Sequence, residues 1–216
     1  KLFCVSLGCD KNLVDTEKML GLLNSRGLMY TDDESEADVI LVNTCCFIGD
    51  AKEESINTIL ELARYKTEGV CQVLIVAGCL AQRYKQEILD EIGEVDAIIG
   101  TTSYQEIAQV LDKALKGTGD SRISCFSDLS RLPEGDERRV VTTGGHYAFL
   151  KIAEGCNKRC TYCIIPSLRG PYRSVPMERL IKEAKELAES GAQERILVAQ
   201  EPTLYGTELY GEKSIP

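Results

Sequence analysis

Four short apolar runs in the first hundred residues constrain the fold of this chain more than any other feature. Each is rich in Val, Ile and Leu and has the length of a strand that is buried on both faces; they occupy residues 2–7, 38–43, 72–77 and 95–99. Between them, apolar side chains recur at helical spacing in three stripes: Thr16, Met19, Leu20 and Leu23; Ile56, Ile59, Leu60 and Ala63; and Ile107, Val110, Leu111 and Ala114. Because strands that alternate with helices form a parallel sheet, we predict α/β architecture, with a doubly wound parallel-sheet domain over residues 1–118.

A change of composition after residue 118 predicts a second unit. Residues 119–145 are charged and punctuated by glycine and proline, which indicates a linker with one short strand near Ile123. From residue 146 the pattern is a strand, a cysteine-rich loop, a helix and a strand, which is the opening βαβ unit of another α/β domain. The helix has one apolar face, formed by Leu180, Ile181, Ala184, Leu187 and Ala188. Since one such unit over residues 146–216 cannot close a barrel, we expect this domain to be truncated and the chain to be either a fragment or partly ordered.

The loop at residues 155–163, GCNKRCTYC, carries Cys156, Cys160 and Cys163. Three thiolates in one short loop can surround a metal centre, and the flanking glycine and the prolines that follow argue against regular structure there. Iron-sulfur cubes normally take four cysteines and structural zinc takes four ligands, so one position would stay open for a reactive partner. Zinc is the alternative, but the single histidine of the chain, His146, lies ten residues upstream on the predicted strand.

Three further cysteines follow three consecutive predicted strands: Cys9 in SLGC, Cys45 in VNTC and Cys79 in VAGC. In an open parallel sheet, ligands bind beyond the carboxyl ends of the strands, so we expect these thiols to gather there as a second site with an open position. Cys46 is equally well placed by sequence, and only the strand-end register favours Cys45. The remaining cysteines are expected to be inert packing: Cys4, Cys71 and Cys125.

The amino-acid composition restricts the cellular compartment and the partners that we expect. Ten cysteines, without an export signal in residues 1–25, indicate metal ligands, thiols or packing in a reducing compartment rather than disulfides. No run approaches the roughly 18 apolar residues that a membrane span requires, so we expect a cytoplasmic protein with no membrane partner. The net charge is −9, and residues 1–150 carry 15 basic and 25 acidic side chains. A broad basic surface for nucleic acid is therefore not expected within this chain.

Four segments together carry a family resemblance: SLGCDKNLVDTE, VNTCCFIGDAKEESINTILELA, VAGCLAQRY and EGCNKRCTYCIIPSLRG. They resemble the radical S-adenosylmethionine (radical SAM) methylthiotransferases, and the resemblance spans nearly the whole chain. Within that family, residues 11–15, 51–56, 199–200 and 205–206 are similar to the RimO-type ribosomal protein enzymes, whereas the transfer-RNA-modifying MiaB type usually differs there. The sequence departs from the family at Cys46, where glycine is expected, and at Glu201-Pro202, where an Asp-Thr pair is usual.

The resemblance implies two 4Fe-4S clusters and S-adenosyl-L-methionine as cofactors. By this resemblance the radical SAM cluster, whose open iron chelates S-adenosylmethionine, is held by Cys156, Cys160 and Cys163. An auxiliary 4Fe-4S cluster, whose open iron carries the sulfur to be inserted, is held by Cys9, Cys45 and Cys79. Tyr162 is similar to the aromatic residue that packs near the adenine, and a core tyrosine is the alternative for it. No catalytic residue is assigned.

Methylthiolation is the reaction that the resemblance implies. Reductive cleavage of S-adenosylmethionine gives a radical that takes a hydrogen atom from the β-carbon of an aspartate in small-subunit ribosomal protein number twelve, and sulfur and a methyl group are then added. This chemistry needs a low-potential electron donor such as flavodoxin or ferredoxin and a cavity that excludes water. The alternatives are a transfer-RNA adenosine methylthiotransferase of the MiaB type and a non-catalytic iron-sulfur sensor, which would not cleave S-adenosylmethionine.

Overall fold

The computed structural model describes residues 1–117, 122–133 and 139–215. The predicted domain boundary at residue 118, parts of the predicted linker (residues 119–121 and 134–138) and residue 216 lie outside the described residues. Short 3₁₀ helices lie at Glu34–Glu36, Tyr104–Glu106 and Pro202–Leu204. The strands and helices of the first region are β1 (Leu2–Ser6), α1 (Asp10–Asn24), β2 (Val39–Thr44), α2 (Gly49–Ala63), α3 (Tyr65–Glu68), β3 (Val73–Gly78), α4 (Cys79–Tyr84), α5 (Gln86–Glu91), β4 (Ala97–Ile99), α6 (Ile107–Leu115) and β5 (Ile123–Cys125). Those of the second region are β6 (Tyr147–Lys151), β7 (Ala153–Glu154), α7 (Ile165–Arg169), β8 (Arg173–Ser174), α8 (Met177–Glu189), β9 (Glu194–Val198) and α9 (Thr207–Tyr210).

The first region is a five-stranded sheet in the order β1-β2-β3-β4-β5, and every neighbouring pair is parallel. Alternate side chains of a strand point to opposite faces, and those of β2 enter two different apolar clusters. Ile40 and Val42 pack with α2, α4 and α5, while Val39 and Leu41 pack with α1 and α6. Helices therefore cover both faces of the sheet, and the predicted α/β class with a parallel sheet is confirmed.

The short strand predicted near Ile123 is β5, which pairs with β4 at the edge of this sheet. Residues 123–125, which the sequence assigned to the linker, thus hydrogen-bond to the first region. The division into domains at residues 118 and 146 stays a prediction.

The second region begins with the parallel pair β6 and β9, which α8 connects in the chain. Leu180 and Leu187 of α8 pack in one apolar cluster with Leu150 of β6. The two short strands β7 and β8 pair in antiparallel fashion. This strand-helix-strand arrangement is the βαβ unit that the sequence predicts for the start of a partial barrel.

Three apolar residues that were predicted on buried helix faces are exposed instead, and Ala188 of α8 is one of them. Ile181 of α8 is 47% exposed, and Leu60 of α2 is 49% exposed. Successive residues of an α-helix are rotated by about 100°. Ile181 is one position beyond the buried Leu180, and Leu60 is one position beyond the buried Ile59. The buried stripes of these helices are therefore narrower than the apolar patterns predict.

The short helix α7 joins the two regions. Leu168 packs in the apolar cluster of the first sheet that also contains α2 and α4. Its carbonyl oxygen accepts a hydrogen bond from Thr101 Oγ1 at 2.7 Å, and Thr101 follows the carboxyl end of β4. Segments beyond the carboxyl ends of the strands therefore contact the start of the second region. Within the described part of the chain, no helix is both long enough and apolar enough to cross a membrane.

Candidate metal centre

The three strand-end cysteines lie at the carboxyl ends of three adjacent parallel strands. Cys9 immediately precedes α1, Cys45 directly follows β2, and Cys79 is the first residue of α4. Because β1, β2 and β3 are neighbours in the sheet, the loops that carry the cysteines are neighbours too. The Cys9 side chain is exposed, whereas Cys45 and Cys79 are buried.

Two glycines allow these loops to approach closely. Gly8 has a φ of +93°, and a Cβ atom built there would lie 2.8 Å from Cys45 Sγ and 2.6 Å from Cys45 Cβ. Gly78 has a φ of +91°, and a Cβ atom there would overlap Asn43 Oδ1 and lie 2.6 Å from the Thr44 carbonyl oxygen. Since only glycine adopts this backbone conformation at little cost and leaves this space empty, the loops of Cys9 and Cys79 can close against the end of β2.

The Cys79 thiol is affected electrostatically by the groups around it. Burial raises the pKa of the Cys79 thiol, the Arg169 guanidinium lowers it, and the neighbouring Cys45 and Cys9 thiols raise it. Three thiolates gathered here would repel one another, so a positive centre is needed for all of them to ionise together. A cluster of iron ions that binds thiolates supplies this charge.

Ser55 of α2 holds the backbone of Cys45. The Cys45 N–H donates to Ser55 Oγ at 3.0 Å, and the Ser55 hydroxyl donates to the Cys45 carbonyl oxygen at 2.8 Å. Ser55 is fully buried, so neither backbone group has water as a substitute partner. No local sequence pattern marks Ser55 as functional, although it lies within residues 51–56, one of the blocks that carry the family resemblance.

The other cysteines of the first region lie in poor surroundings for a thiolate. Cys46 is 1% exposed and packs in the apolar cluster with Leu80. Burial and the neighbouring Cys79 thiol raise the pKa of Cys46 to about 11, against an opposing effect of Arg83. Burial also raises the pKa values of Cys4, Cys71 and Cys125. The choice of Cys45 over Cys46 as a ligand stays a prediction, which this burial of Cys46 supports.

The cysteine loop of the second region is hydrogen-bonded to Gly170, the residue that follows α7. The Cys156 N–H donates to the Gly170 carbonyl oxygen at 3.1 Å, and the Cys163 N–H donates to the Cys160 carbonyl oxygen at 3.0 Å. Cys160 is exposed, and Cys156 and Cys163 are half-buried. The loop is therefore closed upon itself while its thiols remain accessible.

Two other side chains of this loop also face solvent. Tyr162 is 88% exposed, so the core-tyrosine alternative is wrong, and the contact of Tyr162 with adenine stays a prediction. Lys158 pairs with Glu201, one of the positions where the sequence departs from the family. This hydrogen bond raises the pKa of Lys158, and the Cys156 and Cys160 thiols add to the effect.

Each cysteine set offers three thiols, the side-chain group that holds iron-sulfur clusters. Among residues 1–117, 122–133 and 139–215, no three His, Cys, Asp or Glu side chains come together closely enough to hold one metal ion. In a four-iron cluster each thiolate binds a different iron, so the ligands stand farther apart than those of one ion. His146 contacts the ring of Tyr147 and joins neither cysteine set, so it is not the fourth ligand of a zinc site.

A buried ion network connects the cysteine loop to the strand-end cysteines. Arg169, the last residue of α7, is 2% exposed. Its Nη1 donates to Asp15 Oδ2 at 2.7 Å and to Glu154 Oε2 at 3.0 Å, and its Nη2 donates to Asn12 Oδ1 at 2.9 Å. Lys151 pairs with the same two carboxylates, Asp15 and Glu154.

The pairing keeps this network ionised in spite of its burial. Burial opposes the ionisation of Glu154, but the charges of Arg169 and Lys151 outweigh it and hold the pKa of Glu154 well below its ordinary value. Burial likewise disfavours the charged forms of Lys151 and Arg169, and the carboxylates raise the pKa values of both above their ordinary values. The sequence gives no local signal for these contacts, because the partners lie up to 157 residues apart.

Asn12 extends the network to the backbone of the strand-end site. Its Nδ2 donates to the Leu7 carbonyl oxygen at 2.7 Å and to the Thr44 carbonyl oxygen at 3.2 Å. Leu7 precedes Gly8, and Thr44 precedes Cys45. A chain of direct contacts thus runs from the loop that holds Cys163, through α7 and Arg169, to the ends of β1 and β2.

Known proteins match this chain over its two regions and over its whole length. Residues 1–100 match the uncharacterized protein family UPF0004, and residues 150–214 match the Radical SAM superfamily. The ribosomal protein uS12 methylthiotransferase RimO of Lachnoclostridium phytofermentans is 64% identical over 216 residues, which cover 100% of this chain and 48% of that protein. The proteins of the same name from Acetivibrio thermocellus and Clostridioides difficile are 52% and 51% identical, again over 100% of this chain and 48% of each relative. Over its whole length, the chain is therefore similar to the RimO-type radical SAM methylthiotransferases.

The match of residues 150–214 to the Radical SAM superfamily implies a 4Fe-4S cluster and S-adenosylmethionine. The cysteine loop at residues 155–163 lies within the matched range. The chain spans about half the length of the curated relatives that it matches.

Proposed function

We propose that this chain is part of a methylthiotransferase that adds sulfur and a methyl group to the β-carbon of an aspartate in ribosomal protein uS12. The observation that carries the proposal is the direct connection between two three-cysteine sets through α7 and Arg169. The names of the relatives supply the substrate and favour it over a transfer-RNA adenosine.

Two cofactor sites follow from this proposal. Cys156, Cys160 and Cys163 would hold the 4Fe-4S cluster that binds S-adenosylmethionine, and Tyr162 would lie beside its adenine. An auxiliary 4Fe-4S cluster would be held by Cys9, Cys45 and Cys79. When bound, these cofactors supply the one-electron chemistry that removes a hydrogen atom and the sulfur and methyl group that replace it. The residues of this chain hold the ligands in place, as Ser55 does for the Cys45 backbone.

The proposal also implies a domain organisation, an electron donor and a cellular compartment. Residues 1–118 would form the auxiliary-cluster domain, residues 119–145 the linker, and residues 146–216 the beginning of the radical SAM domain. An external low-potential donor such as flavodoxin or ferredoxin would supply electrons. Because the proposed substrate is a ribosomal protein, the reaction would take place in the cytoplasm.

Iron loading tests the two sites. The complete protein is reconstituted anaerobically with iron and sulfide, and the measurement is repeated with the combined changes Cys156→Ala, Cys160→Ala and Cys163→Ala. We expect about eight irons per chain in the parent and about four in the variant, because each cluster holds four. Equal iron content in both proteins would contradict the assignment of the cysteine loop.

Product analysis tests the substrate. Parent protein with both clusters, S-adenosylmethionine and a reductant is incubated with uS12 and, separately, with unmodified transfer RNA. Mass spectrometry should find a methylthio group on an aspartate of uS12 and none on the RNA, and the triple-alanine variant should give no product. Modification of an adenosine instead would establish the MiaB-type activity, and failure to cleave S-adenosylmethionine would favour the sensor.

A further inference from the structure

Glu154 is a buried carboxylate at the start of the cysteine loop, and it accepts hydrogen bonds from four donors. It is the last residue of β7, directly precedes Gly155 and is 2% exposed. Its Oε2 accepts from Lys151 Nζ at 2.9 Å and from Arg169 Nη1 at 3.0 Å. Its Oε1 accepts from the Gly155 N–H at 3.2 Å and from Gln200 Nε2 at 3.0 Å. One oxygen therefore binds the two cations of the ion network, and the other binds the backbone of the cysteine loop and the segment after β9.

The start of the cysteine loop is also hydrogen-bonded to the segment that follows α7. The Cys156 N–H donates to the Gly170 carbonyl oxygen at 3.1 Å, and the Tyr172 N–H donates to Asn157 Oδ1 at 2.9 Å. Gly155 has a φ of +75°, and a Cβ atom there would lie 2.5 Å from the Gly170 carbonyl oxygen. All of these contacts are made within the chain, so none of them requires a metal.

Only a carboxylate satisfies the four donors around Glu154. Each of its oxygens can accept two hydrogen bonds, and the ionised group has no hydrogen of its own to donate. An amide of the same shape would turn its NH₂ group either toward the two cations or toward the Gly155 N–H, and in both orientations a donor would face a donor. Because the site is buried, the lost hydrogen bonds are not replaced by water.

We propose that Glu154 is a positioning residue of the cysteine loop, which holds the start of the loop in its ligand-binding form before a cluster binds. A loop that is already folded loses less conformational entropy when a metal centre assembles in it, so the cluster is bound more tightly. The inference rests on the proposed function, since it requires a cluster at Cys156, Cys160 and Cys163.

Hydrogen exchange and iron loss test the two parts of this inference. The parent is the complete protein with Cys9→Ala, Cys45→Ala and Cys79→Ala, which should hold about four irons after anaerobic reconstitution. Glu154→Gln and Glu154→Asp are added to it separately. In the metal-free proteins we expect amide exchange in peptides from residues 155–163 to be at least about tenfold faster in both variants. In the reconstituted proteins we expect iron to be lost to a chelator about 10- to 100-fold faster.

Glu154→Asp keeps the test decisive if Glu154→Gln does not fold. The aspartate side chain is one CH₂ group shorter but keeps the charge, so the ion network stays neutral while the carboxylate no longer reaches both pairs of donors. Charged donors hold a carboxylate more strongly than a backbone N–H does, so the contact with Gly155 is the one that is lost.

Asp15→Asn is the matched control for both variants. Asp15 pairs with the same two cations, Lys151 and Arg169, but lies on α1 rather than beside the cysteine loop. Its variant removes one carboxylate from the network, as Glu154→Gln does, so urea unfolding should show a similar loss of stability. Loop exchange and iron loss should keep the parent rates.

Each outcome decides the inference. Parent rates of loop exchange, or parent rates of iron loss, in both Glu154 variants would overturn it and leave the proposed function intact. Acceleration of equal size in Asp15→Asn would also overturn it, because general loosening of the ion network would then explain the effect. Loss of the fold in both Glu154 variants while Asp15→Asn remains folded would give Glu154 a structural role instead. A parent that binds no iron would overturn the proposed cluster site, and the inference with it.

Discussion

Gly8 is the residue whose small size most directly shapes the candidate site. Its φ of +93° is a conformation that other residues adopt at a cost of about 1–2 kcal/mol. Its missing side chain also leaves the space into which Cys45 fits, since a Cβ atom there would lie 2.8 Å from the Cys45 sulfur. The absence of a Cβ atom at Gly8 therefore permits both the backbone conformation and the close approach of Cys45.

Gly8→Ala should lower both stability and auxiliary iron binding. We expect a loss of about 2–4 kcal/mol in the free energy of unfolding, from backbone strain and overpacking together. We also expect iron content to fall by up to about four per chain, because the Cys9 loop must move away from Cys45. Urea unfolding of the metal-free protein and iron analysis after reconstitution measure the two effects.

Gly27→Ala is the matched control for this change. Gly27 has a φ of +83°, but a Cβ atom there would meet nothing within 4 Å. It should cost only the strain of about 1–2 kcal/mol and leave iron binding unchanged. Iron loss of the same size in both variants would show that general destabilisation, and not the contact with Cys45, controls cluster binding.

The burial of Arg169 could not be predicted from the sequence. The cysteines of the loop could be predicted as ligands from their spacing, because three thiols within eight residues are typical of a metal site. An arginine at the end of a short helix has the same local sequence pattern whether it is solvated or buried. Its burial follows from Asp15 and Asn12, which come from the opposite end of the chain.

At the scale of elements, the strands of the first sheet were predictable within two residues. The predicted run at residues 38–43 corresponds to β2 at Val39–Thr44, and the run at residues 72–77 corresponds to β3 at Val73–Gly78. Both strands are buried on two faces, which produces an unbroken apolar run with an unambiguous length. The faces of α2 and α8 were less predictable, because Leu60 and Ile181 are apolar and nevertheless exposed.

Helices α1 and α8 are joined by a second set of charges. Glu183 of α8 accepts hydrogen bonds from Lys18 of α1 at 3.2 Å and from Arg139 at 2.8 Å. Arg139 also pairs with Glu17 of α1 at 3.1 Å. Burial raises the pKa of Glu183, but Lys18 and Arg139 more than compensate, so the pKa lies below its ordinary value.

This pKa shift predicts how stability depends on pH. A carboxyl whose pKa is lower in the folded state stabilises the fold fully above its unfolded value, near 4.5, and loses that contribution as the pH falls through the folded value. Glu183→Gln should therefore cost about 1–3 kcal/mol at neutral pH and progressively less below about pH 4.5. Urea unfolding of the metal-free protein between about pH 7 and pH 3 measures the difference between parent and variant.

Glu186→Gln on the same helix is the control for this prediction. Glu186 pairs with Lys182 at 3.9 Å on the surface, where such pairs contribute about 0.5 kcal/mol or less. Its variant should follow the parent at every pH. A Glu183→Gln penalty that does not shrink on acidification would contradict the assignment of the effect to the ionised carboxyl.

At the scale of the whole molecule, the core of the first sheet continues into the second region. Leu168 belongs to α7, which follows the cysteine loop, yet it packs with residues of β3 and α4. The sequence could not predict this contact, because α7 has five residues and shows no apolar period that would identify its partner. Its consequence is that the cysteine loop and the sheet that carries the other cysteines share one hydrophobic core.

Leu168→Ala should therefore weaken the first sheet, although the residue lies outside its strands. Removing a buried leucine side chain costs about 2–5 kcal/mol, and hydrogen exchange should accelerate in peptides that contain β3 and β4. Leu187→Ala is the matched control, since Leu187 is equally buried but packs with Leu150 in the separate cluster of the second region. It should accelerate exchange in β6 while β3 and β4 keep the parent rates. If Leu168→Ala left β3 and β4 unchanged as well, the two regions would unfold independently, and polar contacts rather than a shared core would hold the cysteine sets together.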